Sequence, residues 1–197
     1  MGTYSIYFSP TGGTKKVMDI LADEWGKTEE IDLSKAERNF SQFCFQREDI
    51  CLIGVPSFGG RVPAPALERL KAMQGGGAGV VLVVTYGNRA YDDTLLELKE
   101  ELTACGFHVA AGIAAVTEHS IMHQYGTGRP GQEDEKELRT YIQKIKNSWR
   151  ELNDAKKELA VPGNRPYREY GGVPMKPKAK KSCIRCGKCA SLCPVQA

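Results

Sequence analysis

Two uninterrupted apolar runs, ICLIGV at residues 50–55 and VVLVV at residues 80–84, place the strongest constraint on the fold of this 197-residue chain. A strand that is buried on both faces needs apolar side chains at every position, whereas a strand with one wet face alternates with polar residues. Stretches with the helical spacing of apolar residues lie on either side of both runs. The sequence therefore predicts a parallel β-sheet covered by helices on both faces.

Strands and helices alternate along the predicted sheet domain. Strands are predicted at residues 4–8, 30–33, 50–55, 80–85 and 107–116, and helices at 14–26, 64–74, 92–105 and 133–159. With right-handed crossovers, this order gives an α/β fold with a doubly wound parallel sheet. Residues 161–182 are rich in Pro, Gly and Lys and predict a linker, which separates a domain at 1–160 from a cysteine-rich segment at 183–197.

Charge is distributed unevenly. Residues 1–169 carry 21 Lys and Arg against 24 Asp and Glu, whereas six basic residues and no acidic residue follow from Tyr170 onward. Because the basic charge belongs to the tail, we expect no nucleic-acid partner. The sequence shows neither a signal-peptide pattern nor an apolar run of membrane-spanning length, so we expect a cytoplasmic protein without a membrane partner.

The loop SPTGGT, residues 9–14, follows the first predicted strand and leads directly into the first helix. Open parallel sheets bind ligands beyond the carboxyl ends of their strands, and a helix N-terminus attracts anions. The loop offers two glycines and three hydroxyl groups but no lysine, unlike the Gly-Lys-Ser/Thr of nucleotide triphosphate sites. We predict a neutral cradle for one phosphate; a plain strand-to-helix turn is the alternative.

Two more loops fall at the same edge of the sheet. PSFGGRVP, residues 56–63, follows the third strand, and TYGNRAYDD, residues 85–93, follows the fourth. Phe58 in the first loop and Tyr86 and Tyr91 in the second are aromatic candidates for contact with a ligand at this edge. Packing into the core is the alternative for Phe58 and Tyr91.

Residues 9–14 resemble the phosphate loop of flavodoxins, which grips the phosphate of FMN. Residues 85–93 resemble the flavodoxin loop of the form Gly-Asp/Asn-x-x-Tyr, which borders the isoalloxazine ring. The resemblance implies bound FMN and a five-stranded sheet of order 2-1-3-4-5. The loop after the third strand lacks the flavodoxin tryptophan, so the stacking aromatic stays open. The residues implied to bind FMN are Ser9, Pro10, Thr11, Gly12, Gly13, Thr14, Pro56, Ser57, Phe58, Gly59, Gly60, Tyr86, Gly87, Asn88 and Tyr91.

The tail contains CIRCGKCASLCP, the C-x2-C-x2-C-x3-C-P run of ferredoxins, which predicts [4Fe–4S] ligation by Cys183, Cys186, Cys189 and Cys193. Zinc is the alternative metal, although zinc sites normally pair two separated C-x2-C knuckles. The fourth cysteine of such a run ligates the second cluster in two-cluster ferredoxins. We therefore expect two clusters in a longer protein and an incomplete set in the sequence as given.

The stretch EHSIMH contains Glu118, His119 and His123, and histidines four residues apart can share a metal. The stretch offers no third or fourth ligand of the usual kind, so we interpret it as a loop near the flavin. We predict no catalytic side chain at the ligand edge, because the sequence places neither a nucleophile–base pair nor paired carboxylates there. Cofactors would carry the chemistry.

Taken whole, the chain resembles the flavodoxin–ferredoxin fusion proteins of anaerobic bacteria and archaea. The resemblance implies an electron-transfer oxidoreductase that passes electrons between FMN and iron–sulfur clusters, served by a redox partner protein or a reduced small-molecule donor. One alternative is an NAD(P)H-dependent flavin or quinone reductase, in which Arg61 or Arg89 would contact the nucleotide. A second alternative is a non-catalytic redox or metal sensor.

Overall fold

The computed structural model describes residues 1–155, 158–173 and 176–196. A parallel sheet forms the centre of the fold. Its strands are β1 (Thr3–Tyr7), β2 (Glu29–Asp32), β3 (Ile50–Pro56), β4 (Gly79–Tyr86) and β5 (His108–Val116). Their order in the sheet is β2-β1-β3-β4-β5. The predicted α/β class and strand order are confirmed. The helices are α1 (Gly13–Asp23), α2 (Ala64–Lys71), α3 (Thr94–Ala104), α4 (Gln132–Asn147), α5 (Trp149–Asn153) and α6 (Lys188–Ser191), with a 3-10 turn at Phe40–Gln42. In the described ranges, no helix is both long and apolar enough to span a bilayer.

The central strands β3 and β4 are buried on both faces, as their apolar runs predict. Cys51 and Ile53 belong to a core formed with α2 and α3, whereas Leu52 between them belongs to a second core formed with α1, α4 and α5. Position 54 of β3 requires glycine for a steric reason, because a Cβ atom there would clash with the side chain of Met18 in α1. Burial of the two faces therefore fixes which helix lies where.

The last long helix is shorter than predicted. Helix α4 ends at Asn147, Ser148 has non-helical backbone angles, and α5 ends at Asn153, so a single helix over 133–159 is wrong in the described part. Residues 156–157 of that prediction lie outside the described residues. The break lets Trp149 pack edge-on against Trp25, with ring centroids 5.3 Å apart, so tertiary packing overrides the helical pattern.

The linker returns over the carboxyl edge of the sheet, and we call residues 163–173 the strap. Asp93 is buried, and its carboxylate accepts hydrogen bonds from the Asn164 amide at 2.7 Å and the Arg168 amide at 2.6 Å. Glu100 of α3 binds the side chains of Arg165 and Tyr167. Residues 174–175 of the predicted linker lie outside the described residues.

A buried ion pair joins the loop after β3 to α3. The Glu97 carboxylate accepts hydrogen bonds from Arg61 Nε at 2.9 Å, Arg61 Nη2 at 2.6 Å and the Val62 amide at 2.8 Å. The Glu97 side chain is only 3% exposed, whereas that of Arg61 is 27% exposed. The carboxylate also holds the pKa of Arg61 above its usual value.

We expect Glu97→Gln to lower the free energy of unfolding by about 3 kcal/mol, because a partly buried guanidinium loses its charged partner. Glu101→Gln is the matched control on the same helix, since Glu101 Oε2 pairs with the Lys71 Nζ at 2.9 Å near the surface. Its expected cost is about 0.5 kcal/mol or less. Urea unfolding measures both, and equal costs would contradict the assignment.

The hold of Asp93 on the strap is expected to depend on pH. Hydrogen bonds from the Arg168 and Asn164 amides lower the pKa of Asp93 below its usual value. A carboxyl with a depressed folded-state pKa contributes stability above its unfolded pKa of about 3.9, and this contribution is lost as the pH falls through the folded pKa.

We therefore expect Asp93→Asn to reduce unfolding free energy at pH ~7 and to differ progressively less from the parent as the pH falls below about 3.9. Asp154→Asn serves as the control, because Asp154 is exposed and lies 4.0 Å from Arg47. Denaturant titrations at several pH values measure the difference. A difference that stays constant down to acid pH would show that the carboxylate charge does not hold the strap.

Candidate functional site

A cavity of about 380 Å³ opens at the carboxyl edge of the sheet, where β1, β3 and β4 end. Eleven of the fifteen residues predicted to bind FMN line it: Ser9, Pro10, Thr11, Gly13, Thr14, Pro56, Ser57, Phe58, Gly59, Tyr86 and Gly87. Gly60 and Asn88 line an adjoining cavity, and Gly12 is the N-cap of α1. Tyr91 instead packs partly buried against the core.

One end of the cavity is lined by backbone amides of the loop 9–14. Gly12 has a left-handed backbone with φ of 88°, and the hydroxyl oxygen of Ser9 accepts a hydrogen bond from the Lys15 amide at 2.9 Å. Within the described part of the chain, the amides of Thr11, Gly13 and Thr14 have no hydrogen-bond acceptor. They lie at the positive end of an 11-residue helix. This arrangement suits one phosphate.

The three hydroxyl groups of residues 9–14 have different surroundings. The Ser9 hydroxyl accepts the Lys15 amide, and Thr14 is buried with its Oγ1 2.8 Å from Thr85 Oγ1. Thr11 is exposed. Because Thr14 also fastens α1 to β4, Thr11 is the hydroxyl that can be changed with the least effect on packing.

The lysines that follow the loop point elsewhere. Lys15 Nζ lies 2.6 Å from Asp19 Oδ1 and 3.3 Å from Glu30 Oε1, and Lys16 Nζ donates to the Pro130 carbonyl at 2.7 Å. Neither lysine lines the cavity. The positive potential at this end of the cavity therefore comes from backbone amides and the helix end, and the neutral phosphate cradle stays a prediction.

The loop after β3 is a tight reversal. Phe58 and Arg61 exchange two backbone hydrogen bonds, and Gly59 and Gly60 between them have φ of 61° and 85°. Both central residues of such a turn need positive φ, which explains the glycine pair. The turn keeps Phe58 at the cavity wall while its side chain also packs against the core.

The strap supplies two cavity residues that sequence reasoning missed, Tyr170 and Val173. The Tyr170 ring lies so close to Gly59 that a Cβ atom there would clash with it. Both residues belong to the stretch predicted as a linker, and no local pattern distinguishes them from a solvated connection. Tyr86 also lines the cavity and packs edge-on against Tyr91, with ring centroids 5.3 Å apart.

The EHSIMH stretch lies beside the cavity, where His119 forms part of the wall. His119 Nδ1 accepts hydrogen bonds from the Ile121 and Met122 amides at 3.2 and 3.1 Å. His123 instead pairs with Glu118 at 2.7 Å. The two histidines therefore serve different partners, and the described residues contain no group of three His, Cys, Asp or Glu placed to hold a metal ion.

The cysteine run lies at the surface. Cys183, Cys186 and Cys189 are exposed and outside any disulfide, and Cys193 is half-buried. Pro194 accepts a hydrogen bond from Arg69 of α2, which attaches the segment to the sheet domain. Four thiols are the donor set of an iron–sulfur site, but over residues 176–196 they do not converge on one point. The cluster thus stays a prediction.

A second cavity of about 530 Å³ adjoins the first and shares Ser57, Gly59, Gly87 and His119 with it. Arg89 and Arg168 line it, and both guanidinium groups contact the same oxygen of Asp92. Large apolar side chains surround the two openings and remain 41–56% exposed: Ile121, Met122, Tyr125, Tyr170 and Val173. Arg61, in contrast, is held by Glu97 and by the carbonyl of Arg168.

Comparison with known proteins rests on structure. The chain matches neither a protein-family model nor a curated protein by sequence. It is similar to rubredoxin oxygen:oxidoreductase from the anaerobe Desulfovibrio gigas, with a TM-score of 0.53 and 16% identity over 78% of this chain and 37% of that one. The match therefore spans little more than a third of the Desulfovibrio protein.

Two flavodoxins match over nearly their whole length. A flavodoxin from the domain Archaea gives a TM-score of 0.52 with 15% identity over 76% of this chain and 99% of that one. Oxidised flavodoxin 2 from Bacillus cereus gives a TM-score of 0.57 with 12% identity over 75% and 99%. Together with the strand order β2-β1-β3-β4-β5, these similarities show that the chain has the flavodoxin-like α/β fold.

Proposed function

We propose that this chain binds FMN at the carboxyl edge of its sheet and works as an electron-transfer protein. The observation that carries the proposal is a set of amides, at Thr11, Gly13 and Thr14, that have no acceptor among the described residues and that border a cavity lined by Phe58 and Tyr86. A phosphate and a planar ring are the two parts of FMN that such a site suits. The flavodoxins of the same fold support the cofactor assignment.

Different residues would bind the phosphate and the ring of FMN. The amides of Thr11, Gly13 and Thr14 and the Thr11 hydroxyl would hold the phosphate, and the loops 56–63 and 86–93 would hold the ring between them. When bound, FMN supplies redox chemistry in one- or two-electron steps, and an iron–sulfur cluster supplies single-electron transfer. The chain would contribute binding, orientation and exclusion of water.

A protein is the partner that the surroundings of the cavity favour. Exposed apolar side chains at Ile121, Met122 and Tyr125 form a patch beside the opening. Contiguous exposed apolar surface commonly marks an interaction site. A redox protein docked there would approach the flavin, which is the requirement for direct electron transfer.

The cysteine run is the finer part of the proposal. Three exposed thiols at ferredoxin spacing, those of Cys183, Cys186 and Cys189, lie near basic residues and outside any disulfide and suit an iron–sulfur cluster. Cluster assembly would have to draw the thiols together, because they do not converge in the described tail. Such coupling of ordering to metal binding is common for short metal-binding segments.

We expect Thr11→Val to weaken FMN binding about tenfold, because a hydrogen bond to a charged phosphate is lost. Thr140→Val is the control, since Thr140 is an exposed α4 residue whose hydroxyl donates to the Lys136 carbonyl. Quenching of flavin fluorescence on titration with apoprotein measures the affinity. Riboflavin, which lacks the phosphate, is expected to bind parent and variant equally. FMN affinity unchanged by Thr11→Val would place the phosphate elsewhere.

The cavity lined by Arg89 and Arg168 favours a second candidate function, that of an NAD(P)H-dependent flavin or quinone reductase. Two guanidinium groups that share one carboxylate leave a positive charge for an anionic nucleotide. Mixing the FMN-loaded protein with NADH under anaerobic conditions separates the candidates. Rapid bleaching that is slowed by Arg89→Ala would favour the reductase, and no bleaching would favour the carrier.

Anaerobic reconstitution with iron and sulfide is expected to give protein-bound iron and broad visible absorbance, and Cys186→Ser is expected to abolish both because it removes a thiolate ligand. Cys44→Ser is the matched control, since Cys44 is also exposed but lies outside the run. Iron and sulfide assays with absorbance spectra measure the outcome. Equal iron in the two variants, or preferential binding of zinc, would contradict the cluster.

A further inference from the structure

The strap is fastened by a residue that would ordinarily cap a helix. Asp93 occupies the N-cap position of α3, but its side chain makes no capping hydrogen bond. Its two carboxylate oxygens accept hydrogen bonds from the Asn164 and Arg168 amides at 2.7 and 2.6 Å. Aspartate at this position usually bonds to the first helical amides. Here the buried carboxylate binds the strap instead.

Two further anchors hold the same segment. Arg61 Nη1 donates to the Arg168 carbonyl at 2.9 Å, and Arg61 is itself fixed by the buried Glu97. Glu100 binds Arg165. Both the amide and the carbonyl of Arg168 are thus engaged by side chains of the sheet domain, two positions before Tyr170.

The anchored backbone delivers Tyr170 to the cavity. The ring packs on Gly59, in the turn after β3, and lines the same cavity as the loop 9–14. The side chain nevertheless remains 44% exposed, so it is not a core residue. Polar contacts that position a half-exposed aromatic ring at a cavity favour ligand binding. The same contacts contribute little to a hydrophobic core.

We infer that Tyr170 is a residue of the flavin site and that Asp93 is its positioning residue. The inference rests on the proposed FMN binding. Tyr170 would contact the bound cofactor and shield it from water, and Asp93 would act only by holding the strap in place. The cofactor site would then be shared between the sheet domain and the linker that leads to the cysteine run.

The experiment compares Tyr170→Ala, Tyr170→Phe, Asp93→Asn and the double variant Asp93→Asn/Tyr170→Ala. Tyr141→Ala is the matched control, because Tyr141 is 45% exposed on α4 and lies outside the cavity. We expect Tyr170→Ala to weaken FMN binding about tenfold and Tyr170→Phe to change it about twofold or less, since the ring makes most of the contact. Tyr141→Ala should bind FMN like the parent.

Coupling between the two residues tests the positioning role. We expect Asp93→Asn to weaken FMN binding in the parent but to have no further effect when Tyr170 is already alanine. Flavin fluorescence in the bound state gives a second readout, because removal of a contacting phenol should raise the emission of Tyr170→Ala and leave that of Tyr141→Ala unchanged. Denaturant unfolding of the apoproteins is expected to give the same stability for Tyr170→Ala and the parent.

The outcomes separate the inference from the proposal beneath it. Failure of the parent to bind FMN would overturn the proposed function, and this inference with it. Tight FMN binding by the parent and equally tight binding by Tyr170→Ala would overturn the inference alone. Full additivity of Asp93→Asn and Tyr170→Ala, or an apoprotein destabilised by Tyr170→Ala, would show that the strap supports the fold rather than the cofactor.

Discussion

Burial of β3 and β4 on both faces is the constraint on which the rest of the structure depends. Consecutive residues such as Cys51 and Leu52 belong to opposite cores, so helices must cover both sides of the sheet. The chain satisfies this by running from β1 outward to β2 and then back across to β3. The loops after β1 and β3 therefore leave the sheet in opposite directions, and such a point of reversal opens a crevice at the carboxyl edge. The cavity lies at this crevice because of the topology, and the loop residues decide what it can hold.

The chemistry of the crevice depends on which partners bind the charged side chains near it. Lys15 and Lys16 lie in the first turn of α1, yet their side chains bind Asp19 and the Pro130 carbonyl. This end of the cavity is left with backbone amides at the start of the helix, where the Ser9 hydroxyl also accepts the Lys15 amide. A rigid set of neutral donors discriminates by shape and by one phosphate, whereas free lysines would attract polyanions of many kinds. The site is accordingly better suited to a single phosphate than to a triphosphate.

Sequence patterns were sufficient wherever the determinant was local or periodic. The apolar runs predicted β3 and β4, and the short loops with glycine predicted which residues meet at the edge, because carboxyl ends of parallel strands converge. The patterns failed where a distant contact decides. Nothing near Ser148 shows that Trp149 will pack against Trp25 and break the helix. Tyr170 reaches the cavity through bonds between Asp93 and amides 71 and 75 residues away, for which a linker composition gives no signal.

Helix α3 explains how a Pro-, Gly- and Lys-rich linker gains a fixed position. Asp93, Glu97 and Glu100 recur at helical spacing, which in a sequence is typical of a solvated face. In the structure each acid has a separate partner: Asp93 binds strap amides, Glu97 binds Arg61, and Glu100 binds Arg165. These acidic residues therefore hold the strap: Asp93 and Glu100 bind it directly, and Glu97 acts through Arg61. Because Glu97, the middle acid of the three, fixes the turn after β3 through Arg61 and Val62, the strap and the cavity wall share a support. A disturbance of the linker would then reach the cavity through these polar contacts, without any change in the buried sheet.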